Sequence, residues 1–397
     1  MRRARNIPLM PLALLLPVMF LAGIWIGGHP GDLPRPVRSL FVGTEVSTLQ
    51  AALDIIEHDY YRPVDRRKLL HDGLAGAVAD LHDRFSRYLD PPTYRRFQAD
   101  STGRFSGVGM EVAGVKSGLR VSRVFSGSPA AKAGIRHGDE IVRVNGRSIA
   151  GRSISQTTAL IRGRPGTFVV LTVLSHGHPR MERLRRRELI APVVSSSLRT
   201  LAGHRIAVVA LSQFSSGSHA ELRRAVDRER TLGAQGIVLD LRDDGGGLLT
   251  EAVQVSSIFI PHGTIVSTRA RTRARHVYQA SGSSIPRSVP VVVLVNGGTA
   301  SASEIVAGAL QDHHRALVVG THTYGKGVYQ EIRELPNGGA IDITVGEYFT
   351  PSGRNLGAGG IRRGPGVRPD LTVRDRPDTG TDEALDAALH ALAARIR

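Results

Sequence analysis

Cysteine is absent from the 397 residues, which excludes disulfides, thiolate nucleophiles, zinc–cysteine sites and iron–sulfur clusters in any compartment. A covalent catalyst built from this chain must use oxygen or nitrogen. Lysine is nearly absent too: of 52 basic residues only Lys68, Lys116, Lys132 and Lys326 are lysines, so the setting of each is informative. No helix-turn-helix, RNA-binding or zinc signature accompanies the net charge of +17, and arginine excess alone does not make a nucleic-acid partner, so none is expected. No G-x-S-x-G serine elbow occurs anywhere. With 45 glycines, 21 prolines and 41% apolar residues the composition is globular rather than low-complexity. The length suits two or three domains, each with its own core.

What is present begins with a targeting signal. Arg2, Arg3 and Arg5 precede an uncharged run from Ile7 to Ile26, which as a helix spans the roughly 30 Å of a bilayer's hydrocarbon core. The arginines hold their end in the cytoplasm and send the body outward. A cleaved signal peptide competes with this reading, but no A-x-A-like site follows Phe20. The expectation is therefore an uncleaved anchor over 1–28 and a proline-rich linker over 29–43. Apolar residues at helical spacing (Leu49, Leu53, Ile56; Leu70, Leu74, Val78, Leu81) predict a small helical region over 44–104, with Tyr60, Tyr61, Phe85, Tyr88 and Leu89 as its core.

From residue 105 to 178 the pattern turns to short strands and glycine turns. A strand follows Phe105-Ser106-Gly107-Val108-Gly109, a short helix opens at Ser128 and closes on Gly134, Asn145-Gly146 makes a tight turn, and a helix runs near Ile154 to Ile161 before the strand Phe168 to Leu174. This order resembles a PDZ domain. The resemblance implies that Gly107, Val108 and Gly109 form the loop that takes a peptide's terminal carboxylate, with Ala159 and Leu160 on the groove helix.

Over 179–375 strands and helices alternate, which predicts an α/β core; 376–397 reads as a packing helix. Three loops there could carry chemistry. Asp243-Asp244-Gly245-Gly246-Gly247 opens a helix and offers N–H groups to an anion, or is only a flexible turn. Ser301 with Glu304 is a capping box, the reading that sequence position alone favours; in the functional reading the same position sets a hydroxyl at the mouth of a helix after a buried strand. Gly320 to Lys326 fits a phosphate loop until Gly327 stands where Ser or Thr must hold Mg²⁺.

Together, Asn296-Gly297-Gly298-Thr299-Ala300-Ser301-Ala302-Ser303-Glu304-Ile305, then Gln311-Asp312-His313, then Thr323-Tyr324-Gly325-Lys326-Gly327 and Gln330 resemble the consecutive signatures of the C-terminal processing (tail-specific) serine peptidases. The resemblance extends to the inserted PDZ module, Tyr348–Gly353 and Pro369-Asp370. It implies Ser301 as nucleophile, Lys326 as general base and Gln330 as the residue orienting the lysine, with the backbone N–H groups of Ala302 and Gly246 as oxyanion hole. The chain departs from the family at Asp243-Asp244-Gly245, which brings an extra carboxylate near the site, and mildly at Thr299 and Tyr324.

A serine hydroxyl needs a base, and an unperturbed lysine is neutral in roughly one molecule in 2,500 at pH 7. Burial must depress its pKa. Gln330 can hold the amine without adding charge. A Ser-His-Asp triad is the competing arrangement, but Asp312 and His313 fall about 15 Å along the helix that starts near Ser301. The expected fold is multidomain α/β: membrane anchor, helical region, PDZ-like β-rich domain and α/β protease core. The expected function is an extracytoplasmic, membrane-anchored serine endopeptidase acting on proteins or peptides with a free C-terminus. No metal, nucleotide or other cofactor is implied, and no oligomeric state. A tethered but inactive PDZ adaptor is the alternative.

Overall fold

The computed structural model describes residues 44–376 and 379–396. The expected anchor over 1–28 and linker over 29–43 lie outside them, and no helix among the described residues is long and apolar enough to cross a membrane. The chain divides into two compact units, Met1–Leu81 and His82–Arg397.

In the first unit the apolar spacing does form helices, Thr44–Asp59 and Arg66–Ala79. Asp65 caps the second by accepting the N–H groups of Arg67 and Lys68, and Arg66 pairs with Asp54 at 2.7 Å and Glu57 at 2.8 Å. The expected aromatic core does not form. Tyr60 and Tyr61 are 52% and 73% exposed, and Phe85, Tyr88 and Leu89 belong to the second unit, where Leu89 packs on Tyr94 and Ala340.

The second unit holds the PDZ-like domain and the α/β core. The antiparallel PDZ sheet runs in the order Met110–Val115, Gly118–Val124, Glu140–Val144, Phe168–Ser175, His178–Arg185. Its core of Val121, Ile141, Val169, Leu171 and Val173 is wholly shielded from water. The last strand corrects the expected boundary at 178: His178–Arg185 pairs along its full length with Phe168–Ser175. Its charged alternation marks it as a sheet edge, and such strands lack the apolar run that betrays central ones. Buried Arg186 ties the domain together by donating to the carbonyls of Ile161 (2.8 Å) and Phe168 (2.7 Å). The chain enters and leaves through Arg104–Gly107 and Arg187–Ile190, which pair antiparallel as a two-stranded ribbon.

The core is a six-stranded sheet ordered Val194–Leu201, His204–Leu211, Gly236–Asp240, Val291–Val295, Ala316–Gly320, Leu371–Thr372, parallel except for the first pair. Side chains of a strand alternate between faces. Ile237 and Leu239 pack in the cluster that includes the helices Ser218–Thr231, Leu249–Ser257 and Ala302–Asp312, while Val238 packs with the C-terminal helix Glu383–Ala393. Strands covered on both faces become continuous apolar runs, as in Val291–Val295. A second, antiparallel sheet joins Arg87–Leu89, Ala340–Phe349, Thr264–Ala270 and Arg273–Gln279, with Val328–Glu334 also paired to Ala340–Phe349.

Candidate active site

The strand Val291–Val295 runs into the loop before Ser301, and the helix Ala302–Asp312 starts at once. Thr299, wholly buried, holds this turn by accepting the N–H of Asn296 (3.0 Å) and donating to the Leu241 carbonyl (2.8 Å). The expected capping-box pairing is present, with the Ser301 N–H donating to Glu304 Oε2 at 2.9 Å. Yet the backbone is not that of an ordinary N-cap, which is extended. Ser301 has φ 58° and ψ −115°, a region that non-glycine residues enter only at a cost of about 1–3 kcal/mol. Sharp strand-to-helix turns of this kind present a serine at the top of a sheet. The elbow geometry exists here without the G-x-S-x-G sequence.

Glu304 does far more than cap. Wholly buried, its Oε2 also accepts the N–H of Lys326 (3.0 Å), and its Oε1 accepts the Thr323 hydroxyl (2.5 Å) and the Gly325 N–H (2.7 Å). One carboxylate thus ties the backbone of Ser301 to the loop carrying Lys326. Burial raises its pKa despite these four bonds.

Lys326 lies between two glycines that the packing requires. A Cβ on Gly325 would sit 2.1 Å from the Gly364 carbonyl oxygen, and one on Gly327 would sit 2.3 Å from Asn355 Oδ1. Lys326 Nζ donates to Gln330 Oε1 at 2.6 Å and lies 4.8 Å above the centre of the Phe85 ring. Burial pushes the amine below its ordinary pKa, against the charges of Asp342, Glu304 and Asp83. The loop leads into the strand Val328–Glu334 and not into the helix that a phosphate loop needs.

Ser301, Ala302, Lys326 and Gln330 line one cavity of about 400 Å³, whose apolar wall includes Phe97, Leu248 and Ile305. A larger open groove of about 910 Å³ around Arg354, Arg368 and Asp370 contains none of these four residues. The triad candidates are engaged elsewhere. His313 Nε2 bonds the Thr264 carbonyl at 2.8 Å, and Asp312 accepts the Ser352 N–H and pairs with Arg354.

The glycine loop differs from expectation. Gly246 does pack on the serine turn, where a Cβ would come within 2.9 Å of Ser301 Cβ. Its N–H, however, donates to Asp244 Oδ1 at 2.8 Å, while Gly245 and Gly247 line the cavity. Asp244 is fully buried, its Oδ2 has no hydrogen-bond partner, and burial raises its pKa to about 7. A carboxyl oxygen beside a free amide accepts from that amide in either charge state, which the loop's sequence alone did not reveal.

In the PDZ-like domain Gly107, Val108 and Gly109 line a small pocket with Met110, Thr158 and Ile161. The expected Ala159 and Leu160 are not in it. The helix Ile154–Ile161 is rotated so that Thr158 and Ile161 face the groove, and Leu160 is 39% exposed.

Comparison with known proteins agrees with both domains. The model of peptidase family S41 matches residues 205–373, and a PDZ-domain model matches 120–175. A probable CtpA-like serine protease of Staphylococcus aureus (strain N315) is 33% identical over 350 residues, 85% of this chain and 68% of that protein. A namesake from Staphylococcus epidermidis is 32% identical over 320 residues, 80% of this chain and 63% of that protein. Among solved structures, the photosystem II D1 C-terminal processing protease covers 90% of this chain and all of its own, with 30% identity and a TM-score of 0.52. A putative S41 protease from Bacteroides fragilis, 20% identical with a TM-score of 0.54 over 84% of this chain and 92% of its own, shares the fold. On this fold, these motifs and these relatives, the chain belongs to peptidase family S41 and is a C-terminal processing-type serine peptidase carrying a PDZ domain.

Proposed function

We propose that this peptidase cleaves protein substrates near their free C-termini with Ser301 as nucleophile and Lys326, in its neutral form, as general base. The observation that carries the reading is the Glu304 carboxylate, which accepts the backbone N–H of both residues while their side chains line one cavity. Lys326 Nζ takes the hydroxyl proton as Ser301 Oγ attacks the scissile carbonyl carbon. The carbon–nitrogen bond then breaks and the ammonium returns that proton to the leaving amine. Water, deprotonated by the same amine, attacks the acyl ester. The bond from the carbonyl carbon to Ser301 Oγ breaks, the ammonium returns its proton to that oxygen, and the product acid gives its own proton to solvent and leaves as a new carboxylate.

The oxyanion is met by the N–H of Ala302, the first residue of its helix, and by the glycine loop. Gly246 serves there only after its N–H leaves Asp244. The pocket at Gly107, Val108 and Gly109 holds the substrate's terminal carboxylate. The run Ile7 to Ile26 tethers the enzyme and sets its body outside the cytoplasm; fractionation of full-length chain against chain lacking residues 1–28 tests this.

Ser301→Ala and Lys326→Ala should each lower peptide cleavage by at least about a thousandfold, while His313→Ala keeps most of it. Burst release from a peptide with a free C-terminal tail reads the acyl-enzyme. No burst from the wild type would leave a binding scaffold, and a ranking with His313 most sensitive would move the base to histidine.

A further inference from the structure

Lysine as a base poses a problem of direction. A neutral amine has one lone pair and two hydrogens, and the lone pair must face Ser301 for the proton to move. Whatever else touches Nζ must therefore accept. Gln330 can do so only through its oxygen; turned over, its NH₂ would donate to the lone pair and block it.

A chain of hydrogen bonds settles the orientation. Gln330 Nε2 donates to Thr344 Oγ1 at 2.9 Å. Thr344 stands opposite Gln330 in the strand pair, and its N–H donates to Ser86 Oγ at 3.0 Å. Ser86 Oγ donates to Asp83 Oδ2 at 2.5 Å, and Asp83 Oδ1 accepts the Phe85 N–H at 2.9 Å. Burial would raise the Asp83 carboxyl, but the Ser86 hydroxyl and nearby backbone N–H groups outweigh it and hold the group below its usual pKa. A carboxylate cannot donate, so Ser86 gives its proton to Asp83 and accepts the Thr344 N–H, which holds the Thr344 hydroxyl oxygen in front of Gln330 Nε2.

We infer that Asp83 and Thr344 are positioning residues of the peptidase, fixing the Gln330 amide so that its oxygen, not its nitrogen, faces Lys326. The inference rests on the Ser301/Lys326 reading above. The segment that supplies Asp83 also supplies the Phe85 ring against Nζ, so one short stretch walls the amine and sets the polarity of its partner. The charged groups facing Lys326 are Asp342 and Arg87 from two paired strands, Glu304 from the helix and Asp83 itself. Asp83 and Thr344 touch neither substrate nor the reacting atoms; they act through Gln330.

The test is full steady-state kinetics against pH on Asp83→Asn, Thr344→Val and Thr344→Ser, with Ser301→Ala and Lys326→Ala as references. Asp83→Asn keeps the shape but places a donor at the end of the chain, and Thr344→Val keeps the volume but removes the link. Both should lower kcat by at least about tenfold with KM changed by less than about threefold, and Thr344→Ser should restore kcat to within about threefold of wild type. The acid limb of kcat/KM should move to lower pH in Asp83→Asn, because the ammonium loses both an acceptor and a nearby negative charge. Mere loosening would admit water and move that limb up. Wild-type kcat in both Asp83→Asn and Thr344→Val, a Thr344→Ser as slow as Thr344→Val, or an upward limb overturns the inference while the dead reference variants keep the dyad. If the reference variants stay active, the dyad and the inference fall together.

Discussion

At the scale of single residues, Glu304 is where stability and chemistry meet. Its four donors leave no room for an amide. In Glu304→Gln the new NH₂ settles on the Oε1 side, where the Thr323 hydroxyl can turn to accept from it, but the Gly325 N–H then faces a donor. One buried donor left unsatisfied costs about 1–3 kcal/mol, and urea unfolding should show a loss of that size. Cleavage falls with it, because Gly325 adjoins Lys326. Lys326 presents the opposite balance. Its folded pKa lies below the unfolded value chiefly through burial, so between those two values the unfolded chain binds more protons and stability rises with pH. The amine is a burden on the fold at neutral pH. Lys326→Met should therefore raise the melting temperature at pH 7 while abolishing turnover, with a smaller gain at pH 10; a lowered melting temperature at pH 7 would show that the niche favours the charged form.

At the scale of elements, the glycine loop is the part least determined by its sequence. The run of glycines announced free N–H groups, but which one faces the cavity depends on a side chain two residues earlier. Burial pushes the Asp244 carboxyl up to about 7, against an ordinary value of 3.8. The folded state thus holds the extra proton, and stability falls as pH rises from about 4 to 7. Replacing the carboxyl by an amide removes that fall. Asp244→Asn should be more stable than wild type at pH 8, by up to about 4 kcal/mol from a shift of about three units, and the two should converge near pH 4. Equal unfolding free energies at pH 8 would place the carboxyl in water. The strand, turn and helix around Ser301 were by contrast legible, because a wholly apolar strand ending in Asn-Gly-Gly leaves few other readings. The strain at Ser301 was not: a positive φ on serine follows from the close approach of Gly246 and the hold of Thr299, neither local in sequence.

At the scale of the whole molecule, what was legible divides by sequence distance. Contacts within one motif, such as Lys326 with Gln330 four residues on, were implied by the resemblance to the C-terminal processing peptidases. The support from Asp83, Ser86 and Thr344 spans more than 250 residues, and only the pairing of Arg87–Leu89 with Ala340–Phe349 creates it. For the same reason the segment from His82 to Leu89 looked like helical packing and is in fact part of the site's wall. The PDZ-like domain shows the complementary case. Its glycine loop was found from local order, while its last strand was hidden by edge chemistry, and the groove helix was rotated from the expected face.

The ribbon of Arg104–Gly107 with Arg187–Ile190 carries both crossings between that domain and the core, so tail binding and cleavage are joined mechanically but make separate contacts with a substrate. On the proposed role of the Gly107–Gly109 loop, a free terminal carboxylate accepts charge-assisted hydrogen bonds there that a terminal amide cannot, a difference of about 1.5–3 kcal/mol. Amidating the tail of an otherwise identical peptide should therefore raise KM by about ten- to a hundredfold and leave kcat near its value, because the scissile bond still meets Ser301 and Lys326 unchanged. Steady-state kinetics on the peptide pair reads this directly. Equal KM values would mean that the loop does not hold the tail, and a fall confined to kcat would mean that tail binding instead sets the geometry of the distant cavity.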